Sequence, residues 1–398
     1  MDHIESLVTE DEVVEVSDAF KAAATEKTQV LYEDSDRDRL AFWADRANEL
    51  TWFQPFDRVL DWQRPFSKWF LNGKLNASYN CLDVHLQSDR RHKTALLWEG
   101  EKGKKRSWTY ESLHREVCRF ACVLKQHYKL KKGDCVTLYL PMIPELLVAV
   151  LACARLGVIH SVVFAGFSAK SLKDRILDSG SSLLITANGG YRRGQVLNVK
   201  AIADAALEGN DTPVKSTLVI RHLDESEADF PSHQRDTYYC DLKDCYGDTI
   251  APEPMDSEAV LFILYTSGTT GKPKGIVHTT GGYLTHAKYS TRTVFDLKDT
   301  DVYWCTADIG WITGHTYLVY GPLLNGATVL MYEGAPDYPE KDRFWDLVAS
   351  YSVTILYTAP TAIRAFMKWG DAWPDRHDLS SLRLLGTVGE PINPEAWQ

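Results

Sequence analysis

The fold is decided by a stretch of sequence that runs VTLYLPMIPELLVAVLACARLGVIHSVVF over residues 136–164. Residues 136–140 are β-branched, aromatic or aliphatic, as is typical of a buried strand, and they end at Pro141. Residues 145–155 form an apolar run of helical length that stops at Gly157, and residues 160–164 form a second buried strand. This order of strand, helix and strand predicts a βαβ unit whose two strands lie parallel in one sheet.

The same alternation continues towards the C-terminus. We predict further helices over residues 168–179, 195–207 and 341–350. We predict further strands over residues 183–186, 217–220, 260–265, 327–331, 353–357 and 382–385. A polar stretch over residues 222–257 separates the two groups of strands and is interpreted as a surface insertion or boundary. The sequence therefore predicts an α/β protein with two sheet-forming halves and mainly parallel sheets.

The N-terminal part of the chain lacks this alternation. Residues 1–35 are polar and are interpreted as a loose leader, whereas residues 36–90 are rich in aromatic side chains interrupted by prolines. We predict short helices and irregular chain packed by large rings in this second segment. A structural role is favoured for the rings, and an aromatic ligand site is the alternative. Residues 91–398 form the α/β domain.

Composition excludes several classes of function. The 398 residues include 44 basic and 54 acidic side chains, which gives a formal net charge of −10. Nucleic acid is therefore not an expected partner, because phosphate neutralisation needs clustered Lys and Arg. The one basic cluster of note, residues 102–106, is interpreted as a solvated turn. No clean stretch of about 20 apolar residues is present, so we expect no membrane span.

The eight cysteines form no CxxC pair, and Cys118 and Cys122 share one face of a predicted helix. Core packing is a commoner role for such a pair than half of a metal site. The first 18 residues are acidic, unlike a signal or transit peptide. We therefore predict a cytoplasmic protein with reduced thiols and no structural zinc. The sequence does not define an oligomeric state.

The segment most informative about chemistry is YTSGTTGKPKG, residues 265–275, directly after a predicted strand. Its three glycines, four Ser or Thr hydroxyls and two lysines predict a loop that surrounds phosphate with backbone N–H groups, hydroxyls and ammonium groups. A structural loop is the alternative. The Walker A pattern needs four residues between its glycines and Ser or Thr after Lys. Here two residues separate Gly268 from Gly271 and Pro273 follows Lys272, so a P-loop NTPase is disfavoured.

This loop resembles the phosphate-binding signature of the adenylate-forming enzymes. Further motifs resemble those of AMP-forming acetyl-CoA synthetases, and they are IVHTTGGY (276–283), YWCTADIGWITGH (303–315), YTAPTAIR (357–364) and GTVGEPINPEAW (386–397). The aromatic-rich segment is similar to the N-terminal extension of that family. The resemblance implies the large N-terminal domain of the adenylate-forming fold, with two α/β subdomains. The family's next motif and its small C-terminal domain are absent, so we expect an incomplete chain that is inactive alone.

The resemblance also implies a two-step reaction with acetate, ATP, Mg²⁺ and CoA. A carboxylate attacks the α-phosphorus of ATP to give acyl-AMP and pyrophosphate, and the CoA thiol then displaces AMP. Such chemistry needs positioning and charge stabilisation, and it needs no side-chain nucleophile. No metal ligand is assigned in this chain, and we expect His278, His286 and His315 to be satisfied or exposed histidines rather than ligands.

Residue roles implied by the resemblance fall into three groups. The ATP-binding residues are Thr266, Ser267, Gly268, Thr269, Thr270, Gly271, Lys272, Gly389, Glu390 and Pro391. The acetate pocket is formed by Trp311, Ile312, Thr313 and Val388, of which Trp311 and Thr313 are also the catalytic assignments. The CoA-binding residues are Gly166, Arg192, Arg193, Gly194, Gln195, Thr313 and Asp337. Core packing is the alternative role for Trp311 and Val388, and a solvated turn for Arg192 and Arg193.

Three departures from the family pattern weaken the CoA assignment: Ala165 where Gly is common, Asp337 where Asn is common, and Gln195 where some relatives have Arg. An acid repels a polyanionic ligand, and a missing Arg removes a phosphate partner. The alternatives to an acetate-specific enzyme are a propionate-preferring relative and a nucleotide-binding module without turnover. One methylene discriminates substrates by only about 1–3 kcal/mol.

Overall fold

The computed structural model describes residues 15–25, 28–209, 211–224, 227, 232–266 and 273–397. Its α-helices are α1 Asp18–Ala23, α2 Thr28–Arg37, α3 Arg39–Asn48, α4 Ala77–Cys81, α5 Tyr110–Gln126, α6 Pro144–Leu156, α7 Ala169–Ser179, α8 Val199–Ala206, α9 Tyr239–Leu242, α10 Thr280–Val294, α11 Ile312–Gly314, α12 Gly321–Leu324, α13 Arg343–Ser350, α14 Pro360–Trp369 and α15 Pro394–Trp397. Short 3₁₀ helices cover Asp83–Gln87, Asp89–His92 and Pro374–Arg376, and a π-helix covers His315–Tyr320.

The strands are β1 Arg58–Gln63, β2 Phe66–Leu71, β3 Lys74–Leu75, β4 Thr94–Gly100, β5 Lys105–Thr109, β6 Cys135–Tyr139, β7 Ile159–Val162, β8 Leu183–Ala187, β9 Gly190–Arg192, β10 Gln195–Leu197, β11 Ser216–Ile220, β12 Asp236–Tyr238, β13 Met255–Asp256, β14 Val260–Thr266, β15 Lys274–Thr279, β16 Val302–Cys305, β17 Thr328–Glu333, β18 Ile355–Thr358 and β19 Leu384–Thr387.

The first large sheet has seven strands in the order β12-β11-β8-β6-β7-β14-β15. All neighbours are parallel except β14 and β15, which pair antiparallel at the edge. The predicted βαβ unit is confirmed as β6, α6 and β7. Every residue of α6 except Glu145 is buried, which explains why its sequence is apolar on all sides.

The second large sheet has six strands in the order β19-β18-β16-β17-β4-β5. It is parallel except for its edge pair β4 and β5. These two strands precede the whole first sheet in the chain, so the sheets do not correspond to two halves of the sequence. The sequence pattern missed this because strand pairing between distant segments leaves no local signature.

The N-terminal segment is more regular than its sequence predicted. Helix α1 lies within the expected leader of residues 1–35, and α2 begins there and extends two residues beyond it. Residues 1–14 and 26–27 of that leader lie outside the described residues. Asp38 caps α3, because its carboxylate accepts hydrogen bonds from the N–H groups of Leu40 and Ala41 at 3.0 and 2.9 Å. Strands β1 and β2 form an antiparallel hairpin where irregular chain was expected.

The largest hydrophobic cluster joins the two sheets. It contains Leu96 and Trp98 of β4 together with Val136 and Leu138 of β6. The indole N–H of Trp98 donates to the carbonyl oxygen of Met142 at 2.9 Å, just before α6. Cys118 and Cys122 are buried in α5, as predicted for core packing. Among the described helices, none combines the length and apolar character that crossing a membrane requires.

Candidate active site

The predicted phosphate loop connects the antiparallel edge strands of the first sheet. Thr266, the last residue of β14, pairs directly with Lys274, the first residue of β15, and its side chain is exposed. The loop therefore leaves and re-enters the sheet at one point. Residues 267–272, which include six of the predicted ATP-binding residues, lie outside the described residues. Their roles remain predictions.

A cavity of about 700 Å³ brings three of the predicted acetate residues together. Ile312 and Thr313 reach it from α11, and Val388 reaches it from the position just after β19. Its wall also includes residues 277–279 of β15, the strand that follows the phosphate loop. We call this space the acetate cavity. Strand β15 therefore runs from the predicted phosphate loop at Lys274 to the wall of this cavity at residues 277–279.

The fourth predicted acetate residue, Trp311, lies elsewhere. Its indole lines a separate cavity of about 300 Å³ and packs with its ring centroid 4.6 Å from that of Phe164. Trp311 precedes the first residue of α11, so its side chain and that of Ile312 diverge. Arg192 lines this same smaller cavity, and we therefore call it the Arg192 cavity.

Aromatic side chains of the N-terminal segment form part of the acetate cavity. Trp43 of α3, together with Trp69 and Phe70 of β2, lines it opposite α11. The sequence left open whether these rings had a structural role or belonged to a ligand site. The rings pack in the core and also line the cavity: Phe70 is fully buried and packs against Trp52, and it also faces the cavity.

Histidine rings lie beneath the acetate cavity. Burial lowers the pKa of His315 to about 4, although its Nδ1 hydrogen bonds to the carbonyl oxygen of Ile309. His315 stacks on His160 at 5.4 Å, and burial lowers the pKa of His160 as well. His315 Nε2 and His160 Nδ1 have no hydrogen-bond partner within the described structure, so these histidines are only half satisfied. His278 and His286 line the cavity.

Two of the family-like motifs meet at Glu390. Its carboxylate accepts the backbone N–H of Thr361 at 2.9 Å and the Thr361 hydroxyl, and it pairs with Arg364 at 2.8 Å. Hydrogen bonds from Thr361 and then Arg364 lower the pKa of Glu390. Gly389, at φ +95°, provides the sharp turn before it. Glu390 and Pro391 are exposed, as the predicted contact with adenosine requires.

The predicted CoA segment is a fixed hairpin turn between β9 and β10. Arg193 and Gly194 both have positive φ, 50° and 72°. The buried carboxylate of Glu101 accepts their backbone N–H groups at 2.9 and 2.8 Å. A Cβ on Gly194 would lie 2.6 Å from the hydroxyl of Tyr338, so a larger residue would have to displace the Tyr338 ring as well as adopt the positive φ. Sequence reasoning missed Glu101, because a lone acid has no local signature.

Other predicted CoA residues are divided between the cavities. Asp337 pairs with Arg193, whose Nε lies 3.1 Å from its carboxylate, so its charge is offset within the protein. Arg192 lines the Arg192 cavity, whereas Thr313 lines the acetate cavity. Gly166 follows β7, and Gln195 begins β10 directly opposite Arg192.

Asp308 is a carboxyl group of the Arg192 cavity that sequence reasoning did not single out. It lies within the quoted motif 303–315, which was the available signal. Burial raises its pKa to about 6, although a hydrogen bond from the Gly310 N–H and the nearby Arg192 act in the opposite direction. That N–H donates to Asp308 Oδ1 at 2.7 Å. The residue thus places a weak acid in the same cavity as Arg192 and Trp311.

The described residues do not provide a metal cage. Nowhere in this part of the chain do three or more His, Cys, Asp or Glu side chains group closely enough to hold an ion. The Mg²⁺ implied by the resemblance therefore has no protein-only site among them, and we assign it no step of the reaction.

Comparison with known proteins identifies the family. The profile described as "AMP-binding enzyme" matches residues 84–398, and one described as "Acetyl-coenzyme A synthetase N-terminus" matches residues 28–81. The chain belongs to the AMP-binding enzyme family. Its mixed α/β architecture with mainly parallel sheets agrees with the large N-terminal domain of the adenylate-forming fold.

The chain is also similar to curated proteins named "Acetyl-coenzyme A synthetase". It is 54% identical to that of Gemmatimonas aurantiaca over 401 residues, covering 100% of this chain and 61% of the relative. It is 52% identical to that of Chlorobaculum tepidum, covering 99% and 60% of the two chains. The protein of Rubrobacter xylanophilus is 55% identical, covering 95% and 58%. The chain thus spans about 60% of the length of these relatives.

Proposed function

We propose that this chain belongs to an AMP-forming acetate:CoA ligase, which activates acetate with ATP and transfers the acetyl group to CoA. The observation that carries the proposal is that β15 forms part of the wall of the acetate cavity. The strand that returns from the phosphate loop lines the same space as Ile312, Thr313 and Val388. On this proposal, the carboxylate binds beside residues 277–279 of β15, and the phosphates bind towards the loop from which the same strand returns. The named relatives support the same activity.

In the first step, an acetate oxygen attacks the α-phosphorus of ATP, and the bond from that phosphorus to the pyrophosphate oxygen breaks. The loop hydroxyls and Lys272 are assigned to the leaving pyrophosphate, where donors stabilise the growing negative charge. Gly389, Glu390 and Pro391 are assigned to the adenosine. Thr361 and Arg364 hold the Glu390 carboxylate in place, so this surface is fixed before the nucleotide binds.

In the second step, the CoA sulfur attacks the acetyl carbon, loses its proton, and the bond from that carbon to AMP breaks. The hairpin turn that carries Arg192 and Arg193 is assigned to the CoA phosphates, for which guanidinium groups are suited. Glu101 holds the backbone of this turn through two N–H groups. The Arg192 cavity leads from Arg192 to Trp311, which gives the thiol arm a direction of approach.

The proposal includes small-molecule substrates and a cytoplasmic location. Five of the eight cysteines are buried free thiols, which suits a reducing compartment. The basic cluster of residues 102–106 is engaged by acids: Lys105 pairs with Glu99 at 3.3 Å and Arg106 with Glu145 at 2.7 Å. These pairs leave little of the cluster for nucleic acid.

A propionate-preferring enzyme is the second candidate, because the acetate cavity is large enough for a three-carbon acid. About 700 Å³ is far more than acetate fills, so Ile312 and Val388 do not by themselves enclose a two-carbon acid. A nucleotide-binding module without turnover is the third candidate.

The test joins this chain to the remaining C-terminal part of the Gemmatimonas aurantiaca relative. We expect the chimera to catalyse ATP–pyrophosphate exchange that depends on acetate, and then to form acetyl-CoA. Lys272→Ala is expected to impair the exchange. Faster exchange with propionate than with acetate would support the second candidate, and ATP binding without any exchange would support the module. ATP hydrolysis that needs no carboxylate would contradict all three.

A further inference from the structure

A third cavity, of about 680 Å³, lies between the N-terminal segment and α10 and shares no lining residue with the other two cavities. Four cationic side chains line it, and they are Arg90, Lys288, Arg292 and Lys298. Two carboxylates accompany them, those of Glu49 and Asp299. We call this space the cationic cavity. Nothing in the proposed reaction uses it.

The cations of this cavity are close enough to repel one another. Burial lowers the pKa of Lys288, Glu49 acts in the opposite direction, and Arg292 and Arg90 lower it further. His85 lies in the same wall, and its pKa is lowered to about 4, mainly by burial and further by the charges of Arg90 and Lys288. Positive charges that converge in a half-buried space raise the free energy of the folded protein unless an anion accompanies them.

Within the described residues, carboxylates pair with three of these four cations. Glu49 accepts two hydrogen bonds from the Arg292 guanidinium, at 2.5 and 3.1 Å, and Asp299 accepts one from Arg90 at 2.6 Å. Lys298 pairs with Asp296 behind the wall at 3.1 Å.

Lys288 is in a different position. Its ammonium group donates to the backbone carbonyl of Glu49 at 2.6 Å, and no carboxylate of the described chain lies within ion-pair distance of it. One of its three N–H groups thus bonds to a carbonyl oxygen, none bonds to a carboxylate of the described residues, and Lys288 lines the cavity.

We propose that the cationic cavity binds a small phosphate-bearing anion of multiple charge, with Lys288 as the central contact and Arg90 and Arg292 on either side. Lys supplies a compact charge and Arg a planar donor set, and both are common phosphate partners. The volume suits an anion between pyrophosphate and a nucleotide in size. The site is distinct from the proposed ATP site, since no residue belongs to both.

The cavity is linked to the acetate cavity through two helices. Helix α10 carries His286 into the acetate cavity and Lys288 and Arg292 into the cationic cavity. Helix α3 carries Trp43 into the first and ends next to Glu49, which lines the second. An anion held by Lys288 thus contacts elements that also shape the proposed substrate site.

The test measures pyrophosphate and AMP binding calorimetrically, using the 398-residue chain with Lys272→Ala so that the phosphate loop contributes little. We expect binding that Lys288→Gln weakens about 10- to 100-fold, the effect of losing one charge-assisted hydrogen bond. Gln keeps a donor for the Glu49 carbonyl. Lys125→Gln, the matched control, removes the same charge from an exposed position on α5 and should not change the affinity.

A site-specific measurement accompanies the calorimetry. The rate at which a small amine-acetylating reagent modifies Lys288, read by peptide mass spectrometry, should fall at least about 5-fold with saturating ligand, whereas the rate at Lys125 stays constant. Stronger protection by pyrophosphate than by AMP identifies a free polyphosphate as the ligand, and the reverse identifies a nucleotide. Absence of protection by either, equal protection by sulfate, or unchanged affinity in Lys288→Gln would overturn the proposal.

Discussion

Burial changes the acid–base chemistry of Asp308. Burial raises the pKa of its carboxyl group to about 6, from 3.8, despite the hydrogen bond from the Gly310 N–H and the charge of Arg192. A carboxyl group with a raised pKa in the folded state favours the fold while it is protonated. That contribution is fully present below pH of about 4 and is lost as the pH rises through about 6.

The Asp308→Asn substitution keeps an oxygen acceptor for the Gly310 N–H but cannot ionise. We expect its free energy of unfolding, relative to the parent, to rise by about 1–2 kcal/mol between pH 5 and pH 8. Urea unfolding at several pH values measures this. A difference between parent and variant that stays constant with pH would show that Asp308 does not titrate in this range.

Substitution of Val388 tests whether the wall of the acetate cavity sets the preference between acetate and propionate. Val and Ile are stiff at χ1, so Val388 and Ile312 present a fixed wall to whatever binds there. In the chimera, Val388→Ala should favour propionate over acetate by on the order of 10-fold, because removing two methyl groups moves back the part of the wall that is assigned to contact the bound acid.

The measurement is the ratio of kcat/KM values for the two acids in the exchange assay. The control is Leu385→Ala, because Leu385 is an exposed residue of β19 that lines neither the acetate cavity nor the Arg192 cavity. Its replacement should leave the preference between the two acids unchanged. An unchanged preference in Val388→Ala as well would assign Val388 to packing alone.

Among the elements, the β9–β10 hairpin combines a left-handed backbone with close packing. Gly194 has φ +72°, and the Tyr338 hydroxyl occupies the position of a side chain. Gly194→Ala should therefore lower the free energy of unfolding by more than the roughly 1–2 kcal/mol that left-handed backbone alone costs. It should also raise the CoA concentration that the chimera requires.

Gly180 provides the matched control for this prediction. It has φ +64° at the end of α7, and no atom lies within 4 Å of its would-be Cβ. Gly180→Ala should show the backbone cost without any change in the CoA requirement. If the two substitutions changed the CoA requirement equally, the assignment of the hairpin to CoA binding would be wrong. Thermal unfolding and CoA titration are the two readouts.

The elements also show which features the sequence predicted. Helix α6 was predicted because burial on all sides makes its residues uniformly apolar. The β1–β2 hairpin was not, because its strands alternate weakly and their aromatic rings suggested irregular packing. The opposite directions of Trp311 and Ile312 depend on where α11 begins, which is the least predictable feature of a helix. The lining of the cationic cavity comes from segments far apart in the sequence, so no motif indicated it.

At the scale of the whole molecule, one large core joins the two sheets, with Trp98 at the junction. Its exposure is only 1%, and its indole donates to Met142 beside α6. We expect far-UV circular dichroism and tryptophan fluorescence to give the same urea midpoint, since the largest buried cluster takes side chains from both sheets.

Trp98→Phe should lower the free energy of unfolding by about 2–3 kcal/mol, through a smaller ring and an unpaired carbonyl group. Trp62→Phe is the control, because Trp62 is 50% exposed on β1 and its replacement should change stability by no more than about 0.5 kcal/mol. Two separate transitions in the parent would contradict the shared core.

The position of β4 in the second sheet has a consequence for how the protein is made. Leu96 of β4 pairs with Val329 of β17, so the ribosome must add more than two hundred residues before the partner strand exists. At synthesis rates of about 5–20 residues per second, this interval is roughly 10–50 s. During that time the nascent chain carries an apolar strand whose hydrogen-bonding edge is open to other chains. The demand for chaperones in the cell is therefore expected to begin with β4 and to last until β17 is made, when every lining residue of the acetate cavity except Val388 has been synthesised.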